Sequence, residues 1–192
     1  MATSPVEICN SALIKVGAAR ITSLSDGTKA ALICNEQYPK LRREVLRQHP
    51  WNFAIRRKAL AASVVEPEYD YSKAFVIPSD VLRILSTDLP RHLEWVVEQN
   101  SSGQRVLLTD SDTCKIRYIK DVTDTTIYSA DFEESLALRM AVDLSYALAQ
   151  STSLTRELQR QYRESLAISR SIDAQEGSVE EFEDGEWLEV RY

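Results

Sequence analysis

Residues 93–109 read Leu93-Glu94-Trp95-Val96-Val97-Glu98-Gln99-Asn100-Ser101-Ser102-Gly103-Gln104-Arg105-Val106-Leu107-Leu108-Thr109, and this stretch decides that the chain is not all-helical. Leu93, Trp95 and Val97 recur at the two-residue period of a strand. Asn100 to Gly103 is a four-residue hairpin signal, and Gln104–Thr109 returns beside the first strand. Upstream, Val81–Thr87 reads as a strand behind the turn Pro78-Ser79-Asp80, and Tyr69–Ile77 is aromatic and β-branched. Downstream, Cys114–Val122 alternates, with Ile116 and Tyr118 on one face against Lys115, Arg117 and Ile119. Arg56–Val65 fits helix and strand equally. Together these segments predict one small antiparallel sheet over about 56–122.

Helical patterns flank the insert on both sides. Ser4-Pro5-Val6-Glu7 is a capping box with proline at the first turn, ahead of Val6, Cys9, Leu13 and Val16, and Gly17 supplies the stop. After the turn Ser25-Asp26-Gly27, a second helix over 28–48 carries the stripe Ala31, Cys34, Tyr38, Leu41 and Val45. Pro39 inside it is expected to kink or divide it, and Pro50 ends it. Beyond the insert, residues 130–150 crowd Phe132, Leu136, Leu138, Met140, Val142, Leu144 and Leu148, which predicts a helix buried on more than one side. A last helix over 153–176 follows along Leu154, Leu158, Tyr162 and Leu166, and the short connection predicts an antiparallel hairpin. The expected class is α+β: an antiparallel helical body of about four helices, a small antiparallel β insert, and a tail over 177–192.

The tail is set apart by charge. The last twenty residues hold eight acids and one base, so a net charge of −6 over the 192 residues leaves the first 172 at +1. A near-neutral body is a poor electrostatic match to nucleic-acid phosphates over most of its surface. Within the tail, Phe182, Trp187, Leu188, Val190 and Tyr192 are apolar anchors among acids. That mixture suits a segment that orders on a partner.

Several chemistries lack their residues. Five scattered glycines supply no phosphate cradle, and there is no GxSxG elbow. The two histidines, His49 and His92, and the three cysteines, Cys9, Cys34 and Cys114, have no metal-ligand spacing, so neither metal nor cofactor is expected. The cysteines read as reduced core residues. The opening residues lack a basic stretch followed by an apolar one, so an export signal is not expected, and no apolar run suits a membrane span. Carboxylates alone could serve a glycan hydrolase, with Glu133, Glu134 and Asp143 as candidates. Asp143 lies in an apolar helix and needs a partner, for which a core-facing arginine such as Arg139, one turn earlier, or a neighbouring subunit is expected.

Lys40, Arg42, Arg43, Arg47, Arg56, Arg57 and Lys58 form a basic cluster around Trp51 and Phe53. Basic side chains interleaved with aromatics can bind single-stranded nucleic acid. With the body at +1, a solvated or subunit-facing helix side is the expected role for Arg42, Arg43 and Arg47, and a core anchor the expected role for Trp51.

The ordered motifs carry a resemblance. Val6-Glu7-Ile8-Cys9-Asn10-Ser11-Ala12-Leu13 with Val16-Gly17, then Ile21-Thr22-Ser23-Leu24, Cys34-Asn35 and the corner His49-Pro50-Trp51-Asn52-Phe53-Ala54 resemble tail tubular protein A. This is the head-to-tail adaptor family of short-tailed (T7-like) bacteriophages. The likeness continues through Val76-Ile77-Pro78-Ser79-Asp80, Ile116-Arg117-Tyr118-Ile119 and the hairpin from Phe132 to about Ala174, while the acidic stretch has no residue-by-residue match. The resemblance implies a structural, non-enzymatic virion protein with residues 1–176 as one adaptor domain. Its expected partners are further copies of itself in a dodecameric ring, the portal protein above and the tail nozzle protein below. DNA is expected to pass through the channel without specific recognition, and no membrane is involved. The expected location is the virion tail, with the host cytoplasm during assembly; a tail-associated glycan hydrolase is the alternative.

Overall fold

The computed structural model describes residues 4–175. Four helices and seven strands follow in the order α1 (Pro5–Val16), α2 (Lys29–Gln48), β1 (Ile55–Ala59), β2 (Ala61–Ala62), β3 (Lys73–Val76), β4 (Val81–Thr87), β5 (Trp95–Gln99), β6 (Arg105–Thr109), β7 (Lys115–Lys120), α3 (Ala130–Leu144) and α4 (Thr152–Gln175). The expectation of a helical body with one small insert is corrected. The strands form two antiparallel sheets, ordered β1-β7-β4 and β2-β3-β6-β5, and the protein is α+β with a far larger sheet component.

The physical reason lies in how the strands divide their apolar residues. Ile119 of β7, with Leu82 and Leu85 of β4, packs into the helical core. Ile116 and Tyr118 of β7, Val81 and Ile84 of β4, and Leu60 instead pack against Phe75 and Leu107 of the second sheet. The three-stranded sheet is thus a middle layer with a core on each face, and the four-stranded sheet closes the second core. Ala74, Val106 and Leu108 form a third cluster on the outer face of that sheet. Two facing sheets were hidden in the sequence because β1 carries three consecutive basic residues and β2 is only two residues long.

Local signals explain the element ends. Ser4 Oγ accepts from Glu7 N and Glu7 Oε2 accepts from Ser4 N, closing the capping box of α1. Gly17 takes φ +75°, the left-handed cap a glycine adopts without strain. Thr28 caps α2 through Ala31 N. α2 runs undivided through Pro39, because the carbonyl deprived of its partner belongs to solvent-exposed Asn35. The β5–β6 hairpin turns at Asn100–Gly103, where Asn100 Oδ1 accepts from Ser102 N and Gln104 N.

α3 is the central helix and packs against α1, α2 and α4. Its last turn widens into a π-turn at Ser145–Ala149, and Gln150 reverses the chain at φ +51° into α4. The α3–α4 seam is partly polar, with Ser135 Oγ 3.4 Å from both Ser165 Oγ and Ser169 Oγ. Leu158, Tyr162 and Leu166 face the core, while Ile168 and Ile172 remain exposed.

Candidate functional site

The three helix arginines expected at an interface are not equivalent. Arg42 is buried, and its Nη2 donates to Asp121 Oδ1 at 2.7 Å, tying α2 to the turn after β7. Arg43 Nε lies 3.5 Å from Asp121 Oδ2 but keeps an exposed side chain. Arg47 is exposed, and its carbonyl accepts from Arg83 Nη1 of β4. Arg43 and Arg47 therefore remain presented to solvent, while Arg42 acts as an internal brace. The other expected anchors, Phe182, Trp187, Leu188, Val190 and Tyr192, lie outside the described residues.

The structure assembles a basic surface that the sequence held in three separate pieces. β1 contributes Arg56, Arg57 and Lys58, β4 contributes Arg83, and β7 contributes Lys115, Arg117 and Lys120. No acid lies within these three strands. Arg57 stands directly opposite Arg117 in the ladder, an arrangement of like charges that costs stability unless an anion lies nearby. Acids at the strand ends moderate part of the charge: Asp88 holds Lys115 at 3.4 Å and Asp80 holds Lys120 at 3.9 Å. Arg56 folds back onto the carbonyls of Phe53 and Ile55. Among the described residues, Arg57 and Lys58 form no ion pair, and both are exposed. Both line an open groove together with Ala59, Ser86, Lys115 and Ile116.

β1 is also an edge. Among the described residues it pairs with β7 alone, and Leu60 N donates to Cys114 O at 2.9 Å. In an antiparallel ladder the hydrogen-bonded residues alternate, so Arg57 and Ala59 direct their N–H and C=O groups away from β7. Basic side chains on such an edge discourage indiscriminate pairing.

The candidate carboxylates are engaged structurally. Asp143 accepts from Arg139 Nη1 at 2.7 Å, and Arg139 also grips Glu44 through Nε and Nη2 at 2.9 and 3.2 Å. Glu134 receives Lys15 Nζ at 2.6 Å. The carboxyls whose titration moves all move down: backbone N–H donors hold Asp26 and Asp88, a Thr126 hydroxyl and amide hold Asp124, and Lys40 and Arg160 hold Glu36 and Glu157.

The remaining candidates sit in joints. His49 Nε2 lies 2.8 Å from Asp173 Oδ2, and Asn52 donates to the same aspartate from its backbone N at 3.1 Å. Asn52 Nδ2 also reaches Asp173 O, so the corner 49–52 clamps the end of α4. No local signal announced this partner 121 residues away. Trp51 is fully buried, donates from Nε1 to Val45 O at 3.1 Å, and meets Phe132 edge-on at 5.2 Å. Cys9 and Cys34 are buried together, and their shared hydrogen bond and burial push the Cys9 thiol up. Burial and the nearby charge of Asp88 push Cys114 up to about 11. His92 is exposed. Among the described residues, no three His, Cys, Asp or Glu side chains form a metal-holding group, and no helix is long and apolar enough to cross a membrane.

No family model matches the chain, and no curated protein matches it significantly.

Proposed function

We propose that the chain is a structural virion protein, a head-to-tail adaptor that forms a ring between portal and tail nozzle and continues the DNA channel. The observation that carries the reading is the ordered series of short motifs from Val6 to the α3–α4 hairpin, which resembles the adaptor family over nearly the whole chain. The roles of those motif residues support it. Asn10 of the first motif clasps Ile21 of the second, accepting its N at 2.8 Å and donating to its O at 2.9 Å. His49 and Asn52 of the corner motif clamp Asp173 of the last helix. The matched residues thus serve scaffold joints, as an assembly protein requires.

Non-enzymatic work fits the ion-paired Glu134 and Asp143. Exposed Leu32, Tyr146 and Ile14 on the helical layer, with Arg43 and Arg47, offer the mixed apolar and basic faces that heterologous ring contacts use. In this reading the chain assembles in the host cytoplasm and remains in the virion tail.

The test is to mix the purified chain with the portal protein of the same phage and image the product. A twelve-fold ring beneath the portal is expected. Failure to bind the portal, together with glycan release that disappears in Glu133→Gln, Glu134→Gln or Asp143→Asn, would replace the adaptor with a hydrolase.

A further inference from the structure

We infer that the free edge of β1 is a strand-addition site, and that its occupant is the C-terminal segment 187–192 of a second copy of this chain. The inference rests on the ring reading only in that a neighbouring copy supplies the strand.

Three observations carry it. The first is the edge itself. Arg57 and Ala59 turn their backbone N–H and C=O groups outward, and the edge continues into β2, which among the described residues pairs with β3 alone. Exposed Ala59, Ala61 and Ala62 leave the backbone open to close approach. An added strand would satisfy these groups in the manner of β-augmentation.

The second is complementarity of charge and pattern. The sequence Glu186-Trp187-Leu188-Glu189-Val190-Arg191-Tyr192 alternates at a period of two, with Leu188, Val190 and Tyr192 on one side and Trp187, Glu189 and Arg191 on the other. β1 offers basic residues to both sides. Lys58 shares a face with Ile116 and Tyr118 over the second core, and Arg57 occupies the opposite face. With the apolar side of the segment laid over the second core, Glu186 falls on the Lys58 face and Glu189 on the Arg57 face. Trp187 then lies on the Arg57 face beside Ala59, both of which line the groove.

The third is reach. Asp173 fixes the end of α4 beside Asn52, three residues before β1 begins, so a segment meant for its own edge would need almost no spacer. Eleven residues separate Gln175 from Trp187, and the twelve steps between them span about 40 Å when extended. That is about the width of a domain of this length. The spacer carries the strand past its own edge to a neighbour's.

The experiment uses the full chain. Equal amounts of nitrogen-15-labelled and unlabelled protein are mixed, alone and in the portal-bound ring, and treated with a carbodiimide that joins touching carboxyl and amine groups. Mass spectrometry is expected to find Glu186 joined to Lys58 in hybrid pairs of one labelled and one unlabelled peptide. Arg57→Glu lowers the hybrid yield about tenfold through lost attraction while leaving Lys58 to report. Val190→Pro, which keeps the charge but removes a strand N–H, lowers it similarly, and attraction by charge alone would leave that variant unchanged. Melting curves of both variants verify that the body is folded. Links only within one isotope overturn the inference in favour of a strap on the same molecule. Absence of links overturns it outright, and protection of Lys58 by duplex DNA in that case assigns the edge to phosphates. Portal binding with no hybrid link leaves the adaptor reading standing without this contact; hybrid links with no portal binding do the reverse.

Discussion

Arg42 Nη2 and Asp121 Oδ1 meet at 2.7 Å across 79 residues of sequence, and this pair fastens the helical layer to the middle sheet. Asp121 follows β7 directly, and its own N donates to Asp80 O at 2.7 Å. One helix, one strand end and one turn therefore share a single electrostatic joint. Removing Arg42 leaves Asp121 partly buried with only the longer Arg43 contact. Arg42→Ala should cost about 2–4 kcal/mol, below the top of the range for buried pairs because Asp121 keeps some solvent. Arg43→Ala should cost less than about 1 kcal/mol, as exposed pairs do. Urea unfolding of the two variants side by side checks the difference, and equal losses would refute the assignment of Arg42 as the brace.

Trp51 should be the most sensitive aromatic in the helical core. It fills the corner between α2 and β1, with Phe132 at 5.2 Å and His49 edge-on at 5.0 Å. Trp51→Ala should lower stability by about 3–5 kcal/mol through the cavity it leaves. An unchanged melting midpoint would place Trp51 at a surface instead.

Asp88 provides a pH signature. Its carboxylate accepts from Lys115 N at 2.7 Å, and this backbone donor holds its titration below the ordinary aspartate range. A depressed carboxyl stabilises the fold above its unfolded pKa, and that contribution is lost as pH falls through the folded value. Asp88→Asn should therefore lose about 0.5–1 kcal/mol at neutral pH. The gap to the parent should close as the pH drops below about 4. Thermal melts at both pH values decide it; a gap that persists in acid would trace the loss to packing.

Cutting the chain after Glu176 should leave the melting temperature of the body nearly unchanged. The last clamp of α4, Asp173 with His49 and Asn52, lies before the cut. Ring or portal assembly should weaken strongly, and Trp187→Ala should reproduce most of the loss. High salt should reproduce only part of it, because screening reaches the acids and bases but not the apolar anchor. Normal assembly by the truncated chain, followed by sedimentation, would remove the tail from the interface.

The sequence by itself determined the helices and most strands, because those signals are local. The Ser4–Glu7 box, the Gly17 stop and the Asn100–Gly103 turn act within a few residues, and Val81–Thr87 is a strand over the range its pattern predicts. Asp143 finding Arg139 one helical turn away was legible for the same reason. The tertiary structure alone decided that seven strands make two facing sheets, since which core receives Ile116 and which receives Ile119 depends on layers placed above and below the same strand. It alone turned Arg42 inward to Asp121 and gathered Arg57, Lys58, Arg83, Lys115 and Arg117 on one sheet. Hydrophobic periodicity records that a residue is buried, but burial is non-directional and names no partner. Hydrogen bonds across 79 or 121 residues leave no spacing to read, so these joints and the basic edge emerged only when the chain was folded.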